Sequence, residues 1–130
     1  MYWGVYLLGA LASGVILMQV SLHHRARRVE GQEAPDTSVL DGIASKNSRK
    51  VYYFYGRHCG PCKAMAPVIE RLRQDHPNLI KLDIAEAPDL ARQFGIVATP
   101  TFILVEDGTI RKVRLGGMTQ RQLLAMLGAD

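Results

Sequence analysis

Three stretches of the chain have the hydrophobic pattern of β-strands. Val51–Tyr55 and Thr101–Val105 are apolar or aromatic on both faces, which predicts two strands buried inside a sheet. Ile80–Ile84 alternates between apolar and charged residues, which predicts a strand with one polar face. Ile110–Leu115 follows the dipeptide Asp107-Gly108, a strong hairpin turn signal, so we expect it to pair back on the preceding strand.

Apolar residues at helical spacing predict four further elements. A helix over Pro61–Asp75 begins with a proline, which is tolerated in the first turn. Pro88–Phe94 predicts a short helix closed by Gly95, and Thr119 is the predicted N-cap of a last helix. The inward positions are Val39, Leu40, Ile43 and Ala44 in a first short helix, Cys62, Met65, Ala66, Ile69 and Leu72 in the second, and Leu123, Leu124 and Leu127 in the last. Alternating strands and helices predict an α/β fold, and the final hairpin makes its sheet mixed.

A long apolar stretch precedes this pattern. Tyr2–Leu22 carries no Asp, Glu, Lys or Arg, and about 20 apolar residues suffice for a transmembrane helix. A cleaved signal peptide is the alternative, but no basic residue precedes the stretch, and the small residues of Ala10–Ala12 lie inside it. We therefore expect an uncleaved anchor over residues 1–24 in contact with lipid through residues 2–22, a linker over 25–36, and a folded domain over 37–130.

Charge indicates which way this anchor points. Arg25, Arg27 and Arg28 follow the apolar stretch, and positive flanks stay in the cytoplasm, so we expect the folded domain on the cytoplasmic side. The periplasmic side is the alternative.

The chain has 130 residues, 48% of them hydrophobic, and a net charge of +4, which excludes a large enzyme and a disordered charged tail. No aromatic residues interleave with its basic clusters, so we expect no nucleic-acid partner.

The two cysteines of the chain form the motif Cys59-Gly60-Pro61-Cys62 between a buried strand and a helix. A helix N-terminus has unpaired N–H donors and a positive dipole end, which stabilise a thiolate at Cys59. Cys62 lies one turn later and faces the packed side. A structural disulfide would close only a tiny loop, and a zinc site lacks two ligands, so we favour redox chemistry. No metal or other cofactor is expected beside this redox-active disulfide.

Two segments resemble the thioredoxin family: Tyr55–Pro67 is similar to its active-site segment and Phe94–Thr101 to its second signature. The resemblance covers Val39–Leu127 and implies a thioredoxin-like fold. It also implies that Cys59 attacks, that Cys62 resolves the mixed disulfide, and that protein disulfides and a reductant protein are the partners. The implied substrate-binding residues are Thr99, a cis-Pro100, Gly116 and Gly117; the implied supporting residues of the active site are His58, Gly60, Pro61, Lys63, Lys81 and Tyr53.

The sequence departs from the family in three places. Tyr53 stands where the family has a buried Asp, so water, Lys81 or the Tyr53 hydroxyl replaces that acid, or proton transfer is slower; we favour Tyr53 as a core aromatic. His58 replaces a Trp, and it either raises the thiolate fraction when charged or is a surface loop residue. The usual first strand has no clear counterpart, so we expect a sheet of four to five strands.

These observations predict a membrane-anchored thiol–disulfide oxidoreductase that reduces or exchanges disulfides of proteins near the membrane. The same chemistry on exported proteins such as apocytochromes is one alternative. A thioredoxin-fold binding module with dispensable cysteines is another.

Overall fold

A computed structural model of the chain describes residues 1–38 and 48–129. The elements of the described residues are α1 (Trp3–Arg27), β1 (Arg49–Tyr55), α2 (Gly60–Asp75), β2 (Leu79–Asp83), α3 (Pro88–Gln93), β3 (Thr101–Glu106), β4 (Thr109–Leu115) and α4 (Gln120–Leu127). The short helix predicted around Val39–Ala44 lies outside the described residues. The other helices and strands predicted for the folded domain are present, with bounds that shift by at most two residues.

The described strands form one four-stranded sheet in the order β2-β1-β3-β4. β1 pairs with β2 in parallel and with β3 antiparallel, and β4 is antiparallel to β3. The mixed sheet that the sequence predicted is therefore confirmed, at the lower of the two expected strand numbers. β1 is central, and its residues Val51–Phe54 are all buried, as a strand covered on both faces requires.

Alternate residues of β1 contribute to two cores, one on each face of the sheet. Tyr52 and Phe54 pack with Phe94 after α3, whereas Val51 and Tyr53 pack with apolar residues of α2 and α4. Because side chains alternate across a strand, the all-apolar β1 supplies both cores at once.

Local signals at the hairpin and at α4 act as predicted. Asp107 and Gly108 both have positive φ, as the turn between β3 and β4 requires. Thr119 caps α4 in a reciprocal capping box with Gln122. The predicted inward residues of α4 contact the core, with Leu123 and Leu127 buried and Leu124 half-buried.

The predicted polar face of β2 is only partly correct, because Asp83 is buried. Its carboxylate accepts a hydrogen bond from the Ala85 N–H at 2.8 Å and lies 3.7 Å from Nε of Arg57. These partners compensate the loss of water around a buried charge. Lys81, the other polar residue of β2, stays partly exposed, as expected.

The N-terminal helix α1 has a mean hydropathy of 1.9 over a span long enough to cross a membrane, and none of that span is buried against the protein. The helix continues to Arg27, past the predicted end of the anchor at residue 24. Residues 29–34, part of the linker expected over 25–36, lie along the free edge of β4. We call residues 29–34 the strap.

Candidate functional site

The reactive cysteines lie where β1 ends and α2 begins. Cys59 is the N-cap of α2, and its Sγ accepts a hydrogen bond from the Cys62 N–H at 3.2 Å. Cys59 and Cys62 are joined by a disulfide with their Cα atoms 5.2 Å apart. In this oxidised form the two residues differ little in exposure, 8% for Cys59 and 5% for Cys62. Cys62 faces the packed side, as the sequence predicted, and Cys59 is also buried while the disulfide is closed.

Gly60 and Pro61 form the first turn of α2. Pro61 lacks an N–H, but the first helical N–H groups have no partner within the helix, so no hydrogen bond is lost. Pro67 lies further along, inside the helix, and α2 continues through it to Asp75. A buried apolar face fixes the orientation of the helix N-terminus against the sheet. This face consists of Cys62, Met65, Ile69 and Leu72. Ala66, predicted to face inward, is exposed instead, so that prediction is wrong.

A second loop lies beside the disulfide. The Thr99–Pro100 peptide bond is cis, which confirms the predicted cis form of Pro100. A Cβ on Gly56 would lie 3.4 Å from Oγ1 of Thr99 and 4.0 Å from Cβ of Cys59, so the loop, the end of β1 and the cysteine meet at Gly56. Thr101 braces the loop, because its hydroxyl donates to the Ala98 carbonyl at 2.6 Å.

Gly116 and Gly117 lie at the same end of the sheet. The N–H of Gly116 donates to the Pro100 carbonyl at 2.9 Å, and Gly116 has φ +88°, which favours glycine. A Cβ on Gly117 would lie 4.0 Å from Sδ of Met65 on α2. The structure thus gathers the predicted substrate-binding residues around the end of β4.

Tyr53 is a buried aromatic residue of the core, 2% exposed, and its ring stacks on Phe102 with centroids 4.9 Å apart. Burial, and to a lesser degree the neighbouring Tyr55, raises the pKa of Tyr53 to about 12. Its hydroxyl therefore stays protonated at neutral pH. The interpretation of Tyr53 as a core aromatic agrees with this packing.

Lys81 is the register partner of Tyr53 on β2, but its ammonium pairs elsewhere. It donates to Oε1 of Glu70 on α2 at 3.0 Å and lies 4.8 Å from the centroid of the Tyr55 ring. Glu70 was not found by sequence reasoning. Glu70 follows Ile69 on α2 and pairs with Lys81 on β2. No short-range sequence pattern predicts such a pair between a helix residue and a strand residue.

A cavity of about 230 Å³ opens beside Cys62. Its lining residues are Tyr53, Tyr55, Gly56, Arg57, Cys62, Lys63, Ala66 and Lys81.

His58 is exposed and lies outside this cavity. The side chains of His58 and Lys63 form no hydrogen bond or ion pair with any residue that the structure describes. Within residues 1–38 and 48–129, no group of His, Cys, Asp and Glu side chains is arranged to hold a metal ion.

Comparisons with known proteins agree with this site. The family model described as Thioredoxin matches residues 33–129. Thioredoxin of Pseudomonas aeruginosa is 32% identical over 98 residues, which cover 73% of this chain and 91% of that protein. A protein of Mycobacterium leprae named bifunctional thioredoxin reductase/thioredoxin is 35% identical over 95 residues, 71% of this chain and 21% of that protein.

The fold is also similar to solved structures. A mutant thioredoxin from Halobacterium salinarum NRC-1 superposes with a TM-score of 0.62 at 28% identity, over 77% of this chain and 89% of that one.

Proposed function

The chain belongs to the thioredoxin family and is a thiol–disulfide oxidoreductase with Cys59 and Cys62 as its redox pair, and we propose that it reduces protein disulfides close to a membrane that its N-terminal helix enters. The observation that carries the chemistry is the Cys59–Cys62 disulfide at the N-terminus of α2, beside the loop of Thr99 and Pro100.

The reaction proceeds by two thiol–disulfide exchanges. The Cys59 thiolate attacks one sulfur of the substrate disulfide, forms a mixed disulfide and releases the other substrate sulfur as a thiolate. The Cys62 thiolate then attacks the Cys59 sulfur, which releases the second substrate thiol and closes the Cys59–Cys62 disulfide. Two electrons reach the substrate, and a reductant protein such as a thioredoxin reductase restores the dithiol.

The start of α2 activates the attacking sulfur. The N–H of Cys62 and the helix dipole of α2 stabilise negative charge on the Cys59 sulfur. Gly60 and Pro61 shape the turn that presents this sulfur to a substrate.

The neighbouring loop offers a place for the substrate backbone. Thr99 has backbone groups for an extended substrate, which would add as a short strand. Pro100, Gly116 and Gly117 border the same surface.

Membrane anchoring is supported by the length and hydropathy of α1 and by the three arginines that follow its apolar part. A signal sequence passes the same test of length and hydropathy. The small residues of Ala10–Ala12 lie inside the apolar stretch rather than after it, which favours an anchor. The arginines favour a cytoplasmic domain.

Reduction of insulin by the full chain in detergent tests the chemistry. We expect turnover with dithiothreitol as the electron source, and loss of at least about tenfold in Cys59→Ser, which removes the attacking sulfur. Cys62→Ser should instead accumulate a mixed disulfide through Cys59. Wild-type protein without turnover would favour a thioredoxin-fold binding module.

A reporter fused after Asp130 tests the membrane side. Activity of a cytoplasmic reporter supports the proposed orientation. Activity of a reporter that works only outside the cytoplasm would contradict it and favour reduction of exported proteins such as apocytochromes.

A further inference from the structure

The strap joins β4 by backbone hydrogen bonds. The Gly31 N–H donates to the Ile110 carbonyl at 2.7 Å, and the Ile110 N–H donates to the Gln32 carbonyl at 2.9 Å. The Ala34 N–H donates to the Gly108 carbonyl at 2.7 Å. β4 is an edge strand, so these contacts satisfy backbone groups that would otherwise face water or another chain.

Side chains on both sides of the α1 terminus reinforce this attachment. Ala26, in the last turn of α1, is 3% exposed and belongs to one of the two cores of the domain. Val29 packs so closely on Gly95 that a Cβ there would lie 2.9 Å from its Cγ1. Oε1 of Glu30 accepts a hydrogen bond from the Val113 N–H at 2.9 Å. The helix and the catalytic domain therefore meet without a free linker.

This junction lies at the disulfide end of the sheet. The strap runs antiparallel to β4, from Val113 toward Gly108, so the helix joins at the half of β4 that leads to Gly116. Gly116 donates to the Pro100 carbonyl beside the active site. The segment that leads to Pro100 begins at Gly95, the residue that the strap contacts.

The junction also lies close to the apolar part of α1. Ala26 follows Leu22 by four residues, about 6 Å of helix axis. The headgroup layer on each side of a bilayer is roughly 5–8 Å thick, since about 30 Å of hydrocarbon lies within a total of about 40–45 Å. Ala26, which belongs to the core of the domain, is therefore expected to lie within the depth of the headgroup layer.

We propose that α1 and the strap hold the catalytic domain rigidly against the bilayer with its disulfide end near the surface. Its substrates are then disulfides of other membrane-attached proteins, held at a short and nearly constant distance from the lipid. This inference rests on the proposed reductase activity and on the proposed membrane anchor.

The test uses the full chain in lipid nanodiscs, reduced beforehand with dithiothreitol that is then removed. Three substrates carry the same disulfide-bonded peptide. Each is attached to lipid through a polyproline spacer of about 6, 12 or 24 residues, roughly 19, 37 or 74 Å long. Each reduced protein converts its two thiols to the Cys59–Cys62 disulfide as the peptide disulfide becomes two thiols. Single-turnover rates are compared with those on soluble insulin.

Two insertions serve as a matched pair. A flexible Gly-Ser segment of about 12 residues between His23 and His24 leaves Ala26 and the strap in place but frees the domain from the apolar part of α1. A helical insertion of about seven residues between His23 and His24 keeps the connection stiff and lifts the domain by about 10 Å, with the same helix face toward the domain.

For the wild type we expect the rate to fall about tenfold or more from the best spacer to the longest, because the linked sites no longer meet. The helical insertion should move the best spacer outward, and the flexible insertion should flatten the dependence. All three proteins should reduce insulin at equal rates, which shows that each is folded.

A wild-type rate that does not depend on spacer length, with normal insulin reduction, would overturn the rigid placement. Equal spacer profiles for the flexible insertion and the wild type would do the same. Failure of the wild type to reduce insulin would instead contradict the proposed function. Failure of the wild type to enter nanodiscs would contradict the anchor.

Discussion

The ammonium of Lys81 donates a hydrogen bond to Oε1 of Glu70 at 3.0 Å, which links β2 to the helix that carries Cys62. Lys81 lies opposite Tyr53 in the register of β1 and β2, and Tyr53 offers no carboxylate. The charge partner of Lys81 therefore comes from α2. The carboxylate that pairs with Lys81 therefore belongs to Glu70, an exposed helix residue, and not to a buried residue of β1.

We expect Glu70→Gln to destabilise the protein by less than about 1 kcal/mol at neutral pH, because the pair is partly exposed and screened by solvent. The hydrogen bond from Lys81 lowers the pKa of Glu70 below its ordinary value of 4.5, against a smaller opposing effect of burial. The stabilisation is present above that ordinary value and is lost as the pH falls through the lowered pKa.

Urea unfolding of both proteins near pH 7 and near pH 3 measures this difference. Glu86→Gln is the matched control, since Glu86 is exposed and forms no ion pair with a described residue. A difference between wild type and Glu70→Gln that persists unchanged at the lower pH would contradict the assignment.

Tyr53→Phe should protect the protein against alkaline unfolding. The pKa of Tyr53 is raised to about 12 in the folded state, whereas the ordinary value is 10.0. The unfolded chain therefore loses this proton first, and the stability that the neutral hydroxyl provides is lost as the pH rises from 10 toward 12. Between about pH 8 and pH 11, the wild type should lose roughly 1 kcal/mol more than Tyr53→Phe.

Denaturant unfolding at these two pH values, with Tyr55→Phe as the control for removal of a neighbouring hydroxyl, measures the effect. Equal alkaline losses in wild type and Tyr53→Phe would argue against a buried, neutral Tyr53 hydroxyl.

Gly95→Ala should destabilise the protein by about 2–3 kcal/mol. Gly95 has φ +70°, a conformation that costs an L residue about 1–2 kcal/mol, and the added Cβ would meet Cγ1 of Val29. Gly108→Ala is the matched control, because Gly108 has φ +78° but open space around it, so only the backbone cost of about 1–2 kcal/mol applies.

Thermal unfolding of Gly95→Ala, of Val29→Ala and of the double variant that combines them forms a double-mutant cycle. We expect the double variant to recover part of the loss, since the smaller side chain removes the collision. Strictly additive losses would show that the strap does not press on Gly95.

Local signals in the sequence were sufficient for much of the fold. The apolar β1, the turn at Asp107 and Gly108 and the cap at Thr119 each depend on residues close together in the chain. These three features rest on short-range backbone preferences, which a linear pattern records directly. The Cys59–Cys62 motif indicated the redox chemistry, and the family followed from the resemblance of Tyr55–Pro67 and Phe94–Thr101 to thioredoxins.

Tertiary structure alone decided three other features. Lys81 pairs with Glu70, Asp83 is buried beside Arg57, and the strap covers the edge of β4. Each joins residues that are distant in sequence or that share no periodic pattern, and each exists because packing leaves a charge or a strand edge in need of a partner. The sequence by itself therefore determined a redox domain with an apolar leader. The three-dimensional packing decided that leader and domain meet at the disulfide end of the sheet.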